Sequence, residues 1–157
     1  MKRVLFVLSL LVLSAGPLLA QDNAFVGTWK LNLAKSKFVP GPAPKSLTRT
    51  VEAQGDGAKY TFEGVAADGK PLSFSFTVKY DGKDYPVTGS GMTAGADSIG
   101  IRLLGSNKAE ATLKRGGKEV AKAEAEVSKD GKVSTVKTRG TTASGKAFHS
   151  ESVYDKQ

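Results

Sequence analysis

Apolar and polar residues alternate along most of the chain after Gln21. The clearest segment covers residues 71–80, where every second side chain from Leu72 onward is apolar and most of those between are polar. A period of two is typical of a β-strand with one face in the core and the other in water. The pattern therefore predicts strands, not helices, for the body of the protein.

Glycine-containing turns separate the alternating segments at intervals of roughly ten to 15 residues. Pairs such as Asp81-Gly82 supply the positive φ angles that tight hairpins need. No segment combines helical periodicity with capping residues, so we predict an all-β fold with antiparallel neighbours. The predicted strands cover residues 25–33, 46–54, 58–66, 71–80, 84–88, 98–104, 108–115, 119–128, 132–139 and 146–155.

Sequential antiparallel strands leave two unpaired sheet edges unless the first strand pairs with the last. That pairing would close the sheet into a single antiparallel up-and-down β-barrel. A barrel of about eight strands encloses side chains or one small ligand, and one of about ten strands has somewhat more room. We therefore predict a barrel of about ten strands, whose function depends on what its interior contains.

Two segments depart from the alternation. Residues 36–45 contain Pro40, Pro42 and Pro44, which excludes a central strand and favours an extended surface connection. Residues 89–95 are rich in Gly, Ser and Thr, a composition typical of a mobile loop. Neither segment is among the ten predicted strands.

The N-terminal segment has the organisation of a secretory signal peptide. Lys2 and Arg3 precede a short apolar run, which is followed by Ser, Ala, Gly and Pro at residues 14–17 and by the small residue Ala20 at the predicted cleavage site. The run is shorter than the roughly 20 residues that span a bilayer, which favours cleavage over an uncleaved anchor. We predict a signal peptide at residues 1–20, a barrel domain at residues 21–157, and a periplasmic or secreted protein without stable membrane insertion.

Charge and cysteine content limit the partners. The chain has 23 Lys and Arg against 15 Asp and Glu, a formal net charge of +8. The lysines are spread over the turns and do not cluster with aromatic residues, which indicates a solvated surface; nucleic acid is not an expected partner. The chain has no cysteine, so disulfides and thiolate metal sites are excluded, and the core and the strand ladders must hold the barrel.

Residues 25–31 read Phe-Val-Gly-Thr-Trp-Lys-Leu, and this Gly-x-Trp pattern resembles the opening strand of the calycin group, the lipocalins and fatty-acid-binding proteins. Residues 153–156 resemble the last strand of intracellular fatty-acid-binding proteins. The resemblance implies a lipid-binding barrel for a small apolar molecule. Two features differ: residues 36–45 are proline-rich where those proteins insert two helices, and Ser152 stands where they carry a carboxylate-binding arginine. The chain is therefore similar to a distant, bacterial-type calycin.

Large and small side chains are predicted to face each other inside the barrel. Aromatic residues on the third and fourth strands form an apolar wall, while the eighth strand offers alanines. Small residues opposite large ones interdigitate densely or leave a cavity, and we favour the cavity. The predicted ligand contacts on these strands are Tyr60, Phe62, Phe74, Phe76, Val78 and Ala123.

Three further residues are candidates for the interior. Trp29 shares the inward face of the first strand, and we interpret it as packing near one barrel end. Arg49 is in phase with inward residues and could pair with a bound anion or an internal carboxylate, but we favour a register shift or a snorkelling edge position. Tyr154 could present its hydroxyl to a ligand or satisfy a backbone group at the seam.

Catalytic and metal-binding patterns are missing from the sequence. His149 is the single histidine and no nucleophile elbow, phosphate loop, dinucleotide fingerprint or calcium loop occurs, so we predict no enzyme activity, cofactor or metal. The predicted function is non-catalytic binding of a small apolar or amphipathic molecule. The alternative is an envelope structural or protein-interaction module with a filled barrel and a basic surface.

Overall fold

The structure is a computed structural model that describes residues 23–157, so the predicted signal peptide at residues 1–20 lies outside the described residues. Within the described part, two short 3-10 turns cover Leu33–Lys35 and Thr93–Gly95. Neither is long and apolar enough to cross a membrane. The strands are β1 (Gly27–Leu31), β2 (Lys37–Val39), β3 (Ser46–Gln54), β4 (Gly57–Val65), β5 (Pro71–Val78), β6 (Tyr85–Pro86), β7 (Thr88–Ser90), β8 (Ser98–Leu103), β9 (Lys108–Arg115), β10 (Lys118–Val127), β11 (Val133–Thr141) and β12 (Ala147–Lys156).

Antiparallel neighbours run from β8 to β12 and from β3 to β5, and β1 joins the two halves. On one side Trp29 of β1 lies opposite Lys156 of β12, and on the other side it lies opposite Arg49 of β3. The predicted pairing of the first strand with the last is therefore confirmed. The protein is an all-β, antiparallel barrel.

The barrel is nearly closed, and its seam lies between β5 and β8. β7 pairs with β5, whereas β6 pairs with β8, so the prediction of one continuous strand at residues 84–88 is wrong. Val87 N donates to Asp97 O at 2.9 Å and extends the pairing with β8 by one residue, and the chain then crosses to β5, where Thr88 lies opposite Ser75. Gly82 N donates to Ile101 O across the seam at 3.0 Å.

The prediction that residues 36–45 form only a surface connection is also wrong, because β2 pairs with β12. His149, Ser150 and Glu151 of β12 lie opposite β2, while β1 covers the other end of the same strand. The prolines begin after β2 and therefore do not interrupt its ladder. Residues 23–157 thus contain twelve strands, two more than the ten segments predicted, because β2 is added and the strand at residues 84–88 is divided.

Packing at the β1–β12 junction explains the Gly-x-Trp pattern. Trp29 is fully buried, and its Nε1 donates to Phe25 O at 2.8 Å. The Nζ of Lys156 lies 5.1 Å from the centre of the Trp29 ring. Gly27 has a φ of +130°, and a Cβ there would lie 2.8 Å from Cε of Lys156. Glycine therefore lets the lysine stem reach the indole, and the interpretation of Trp29 as packing is consistent with this geometry.

Candidate functional site

The barrel encloses a cavity of about 430 Å³. This volume lies in the usual range for small-molecule sites, about 300–1,000 Å³. The residues around it come from most of the strands, and the majority are apolar. The alternative of a filled barrel does not describe this interior.

Stacked aromatic side chains form one wall of the cavity. Tyr60 and Phe76 are cross-strand partners on β4 and β5, and their ring centroids are 5.0 Å apart. Phe62 and Phe74 form the next such pair, with ring centroids 4.5 Å apart. All four residues line the cavity, as the alternation predicted. Their flat faces offer a ligand apolar contact.

Alanine side chains form the opposite wall of the cavity, and their small size leaves the space between the two walls. Ala123 of β10 lies opposite Ala111 of β9, and Ala125 lies opposite Ala109. All four line the cavity. The sequence prediction included Ala123 but missed the two alanines of β9, although they alternate with polar residues in the same way and end at buried Leu113. Two neighbouring strands of small side chains therefore face the aromatic wall.

Val78 is the one predicted contact that the structure places elsewhere. It is fully buried, but it is not among the residues that line the cavity. It lies opposite Ala58 at the end of β5. Val78 therefore contributes to core packing and not to the wall of the cavity.

Arg49 faces the interior, so the favoured alternatives of a register shift or a snorkelling edge position are wrong. Only 4% of the residue is exposed, and it lines the cavity. Its Nη2 donates to Ser134 Oγ at 2.9 Å, and its Cζ lies 4.6 Å from the ring centre of Tyr154 and 5.3 Å from that of Trp29. Burial lowers the pKa of the Arg49 guanidinium, but arginine remains protonated in proteins.

Two buried tyrosines, Tyr154 and Tyr60, are close enough to the Arg49 guanidinium to influence its pKa. Tyr154 is buried on β12 opposite Ser134, and it lines the cavity. The Tyr60 hydroxyl lies 2.9 Å from that of Tyr80, which accepts a hydrogen bond from Asn23 Nδ2 at 2.7 Å. Burial raises the pKa of Tyr154, and it raises that of Tyr60 to well above its ordinary value. Both phenols are therefore neutral at neutral pH.

The two segments without alternation lie at the mouth of the cavity. We call residues 40–44 the proline strap; all three of its prolines line the cavity together with Phe38. Lys45 N donates to Val65 O at 2.8 Å and fixes the far end of the strap. Met92 and Ala94 contribute from the turn after β7. The sequence analysis did not predict either contribution to the cavity lining. The feature that could have indicated it is the high proline and glycine content of two segments that join barrel strands.

The acidic and histidine side chains of the described residues make no metal cluster. Across residues 23–157, no group of three or more His, Cys, Asp or Glu side chains lies close enough to hold a metal ion. His149 is exposed, as are Glu124 and Glu126 on the outer face of β10.

No protein-family model matches the chain, and no curated protein matches it. Solved structures share its fold. The ileal bile acid-binding protein of zebrafish, solved with cholic acid, has a TM-score of 0.51 and 14% identity, covering 85% of this chain and 99% of its own. Rv2717c from M. tuberculosis has a TM-score of 0.54 and 17% identity, and the match covers 90% of this chain and 98% of its own.

Lobster apocrustacyanin A1 is a more distant match, with a TM-score of 0.44 and 12% identity over 86% of this chain and 62% of its own. At 14% and 17% identity, the first two structures show the fold alone. Fold and cavity together define the class: a calycin-like β-barrel with an interior large enough for a small molecule.

Proposed function

We propose that this protein is an exported, non-catalytic binding protein that holds one small apolar or amphipathic molecule inside its barrel. The observation that carries the proposal is the cavity of about 430 Å³ between an aromatic wall and an alanine wall. Removal of apolar ligand surface from water would supply the binding free energy. Arg49 and Tyr154 lie where they can orient a polar end of the ligand.

Two further observations support this proposal. The zebrafish bile acid-binding protein, which has a similar fold, was solved with a small molecule. Among the described residues that line the cavity, no hydroxyl is hydrogen-bonded to a histidine or carboxylate that could act as its base. Binding without turnover is therefore the function that this interior supports best.

The export component rests on the sequence of residues 1–20. Expression of the full chain in a bacterial host is expected to yield a periplasmic or secreted protein that begins at Gln21. Subcellular fractionation and the intact mass of the purified protein check this. A cytoplasmic protein of unprocessed mass would contradict export and would leave the ligand-binding proposal standing.

Filling the cavity is expected to abolish binding. The probe is N-phenyl-1-naphthylamine, a neutral apolar dye whose fluorescence rises when it leaves water. In Ala123→Phe, a phenyl ring occupies the space in front of the aromatic wall, and we expect the dissociation constant of the dye to rise about tenfold or more. Fluorescence titration measures this change.

Lys122→Phe is the matched control, because the same side chain is added to the exposed position next along β10. It is expected to leave the dissociation constant within about twofold of the wild-type value. Native mass spectrometry and solvent extraction of the purified wild-type protein give a second readout. No co-purifying molecule together with no dye response in the wild type would overturn the proposed function.

A further inference from the structure

The guanidinium of Arg49 has more hydrogen-bonding capacity than the described residues use. Nη2 donates to Ser134 Oγ, while Nε is buried and makes no hydrogen bond to the described residues. The ring faces of Tyr154 and Trp29 attract the cation, but they are weak substitutes for N–H acceptors. A buried N–H without an acceptor is costly, and more so on a charged group. A ligand that brought an acceptor to this guanidinium would lower that cost.

No described residue supplies the missing negative charge. Among residues 23–157, no carboxylate forms an ion pair with Arg49, and none contributes to its pKa. Glu110 is the one acidic residue in the cavity lining, but it is exposed and its Oε1 lies 3.6 Å from Nη1 of Arg102. The phenols of Tyr60 and Tyr154 stay neutral, because burial raises the pKa of each.

Arg49 is also the sole charged side chain in the buried core of the described residues. One negative charge on a ligand would therefore be compensated, whereas a second one, as on a phosphate dianion, would stay uncompensated in an apolar interior. This limits the ligand to a single unit of negative charge. Planar arginine is well suited to a carboxylate or sulfonate, because two of its N–H groups can point at two oxygens.

Strand register places this charge directly beside the apolar wall. Arg49 is the cross-strand partner of Phe62, which stacks on Phe74. Directly opposite residues on one face of an antiparallel pair have Cβ atoms about 5 Å apart. A molecule with an acid group at one end and an apolar body can therefore contact the guanidinium and the aromatic wall together.

We infer that the ligand carries one acidic group with a single negative charge, a carboxylate or a sulfonate, which binds the guanidinium of Arg49 while its apolar body lies against Phe62 and Phe74. This inference rests on the proposed function, because it requires the cavity to be the binding site. It adds the chemical class of the ligand and gives Arg49 the role of the head-group contact.

Two pairs of fluorescent probes test the inference. 8-Anilinonaphthalene-1-sulfonate and N-phenyl-1-naphthylamine share one aromatic skeleton and differ in the sulfonate. Dansylaminoundecanoic acid and its methyl ester differ in the free carboxylate. We expect the wild-type protein to bind at least one acid about tenfold more tightly than its neutral partner, the scale of one hydrogen-bonded charge contact. The two pairs distinguish a sulfonate from a carboxylate preference.

Variants at Arg49 separate the head-group contact from a general loss of binding. In Arg49→Met, the acid is expected to lose about tenfold in affinity while the neutral partner stays within about twofold, so that neutral binding also reports an intact fold. Arg49→Lys keeps the positive charge but loses the planar, paired N–H donors of the guanidinium, and we expect it to retain part of the preference for the acid over the neutral probe. Arg139→Met makes the same change at an exposed position and is expected to alter nothing.

Each outcome distinguishes the inference about an acidic ligand from the proposed binding function. Equal affinity for acid and neutral probes in the wild type, or an acid preference that survives in Arg49→Met, would overturn the inference and leave the proposed function intact. Loss of acid binding in Arg139→Met would assign the preference to the basic surface and overturn the inference equally. If neither neutral probe nor acid binds the wild type, the proposed function itself fails.

Discussion

Trp29→Ala is expected to lower the free energy of unfolding by about 3–5 kcal/mol, a large fraction of the stability of a domain of this size. The side chain is fully buried, and its Nε1 donates to Phe25 O. Truncation would leave a void beside Arg49 and an unpaired carbonyl at the junction of β12, β1 and β3. Both losses fall on the strand that closes the barrel.

Urea unfolding followed by far-UV circular dichroism measures this effect, because the variant lacks the single tryptophan of the chain. Leu104→Ala is the control, since Leu104 is a large apolar residue that is 59% exposed, and a change within about 0.5 kcal/mol is expected. A loss below about 1 kcal/mol for Trp29→Ala would show that β1 does not depend on the indole.

Arg49→Met is expected to act in the opposite direction and to raise the free energy of unfolding of the ligand-free protein by about 2 kcal/mol. An apolar side chain of similar length avoids the desolvation of a buried cation that no carboxylate compensates. The loss of the hydrogen bond to Ser134 offsets part of the gain. A binding residue that weakens the ligand-free fold is a common compromise between stability and function.

The same unfolding assay measures the change, with Arg139→Met as the control for removal of an exposed arginine. Saturation with 8-anilinonaphthalene-1-sulfonate should stabilise the wild type more than Arg49→Met, because a ligand stabilises in proportion to its affinity for the folded state. A ligand-free Arg49→Met variant less stable than the wild type would mean that the contacts with Ser134, Trp29 and Tyr154 outweigh the cost of burial.

Much of the barrel could be predicted from local patterns. The predicted bounds of β3 and β9 agree with the structure residue for residue, because period-two alternation and glycine turns are properties of the adjacent sequence. Closure between β1 and β12 followed from the need to pair sheet edges. The aromatic wall followed from the same alternation, because residues two apart on a strand share a face.

What the sequence did not disclose depends on distant partners. β2 is a strand only because β12 offers it a free edge, and proline content nearby argued against it. Tyr85–Pro86 and Thr88–Ser90 belong to opposite sides of the seam, which no local signal marks. Arg49 was in the inward phase, but the cost of burying a cation favoured other interpretations. That cost is the observation that now points to an acidic ligand.

The pairing of β12 with both β1 and β2 has a consequence for the order in which the barrel assembles. β1 can pair with β3 early, but its ladder with β12 and the ladder of β2 need a partner at the far end of the domain, so nearly the whole chain has to be synthesised before these two ladders can form. Such long-range closure is slow relative to hairpin formation. The barrel therefore stays open on the β12 side of β1 until the last strand has been made.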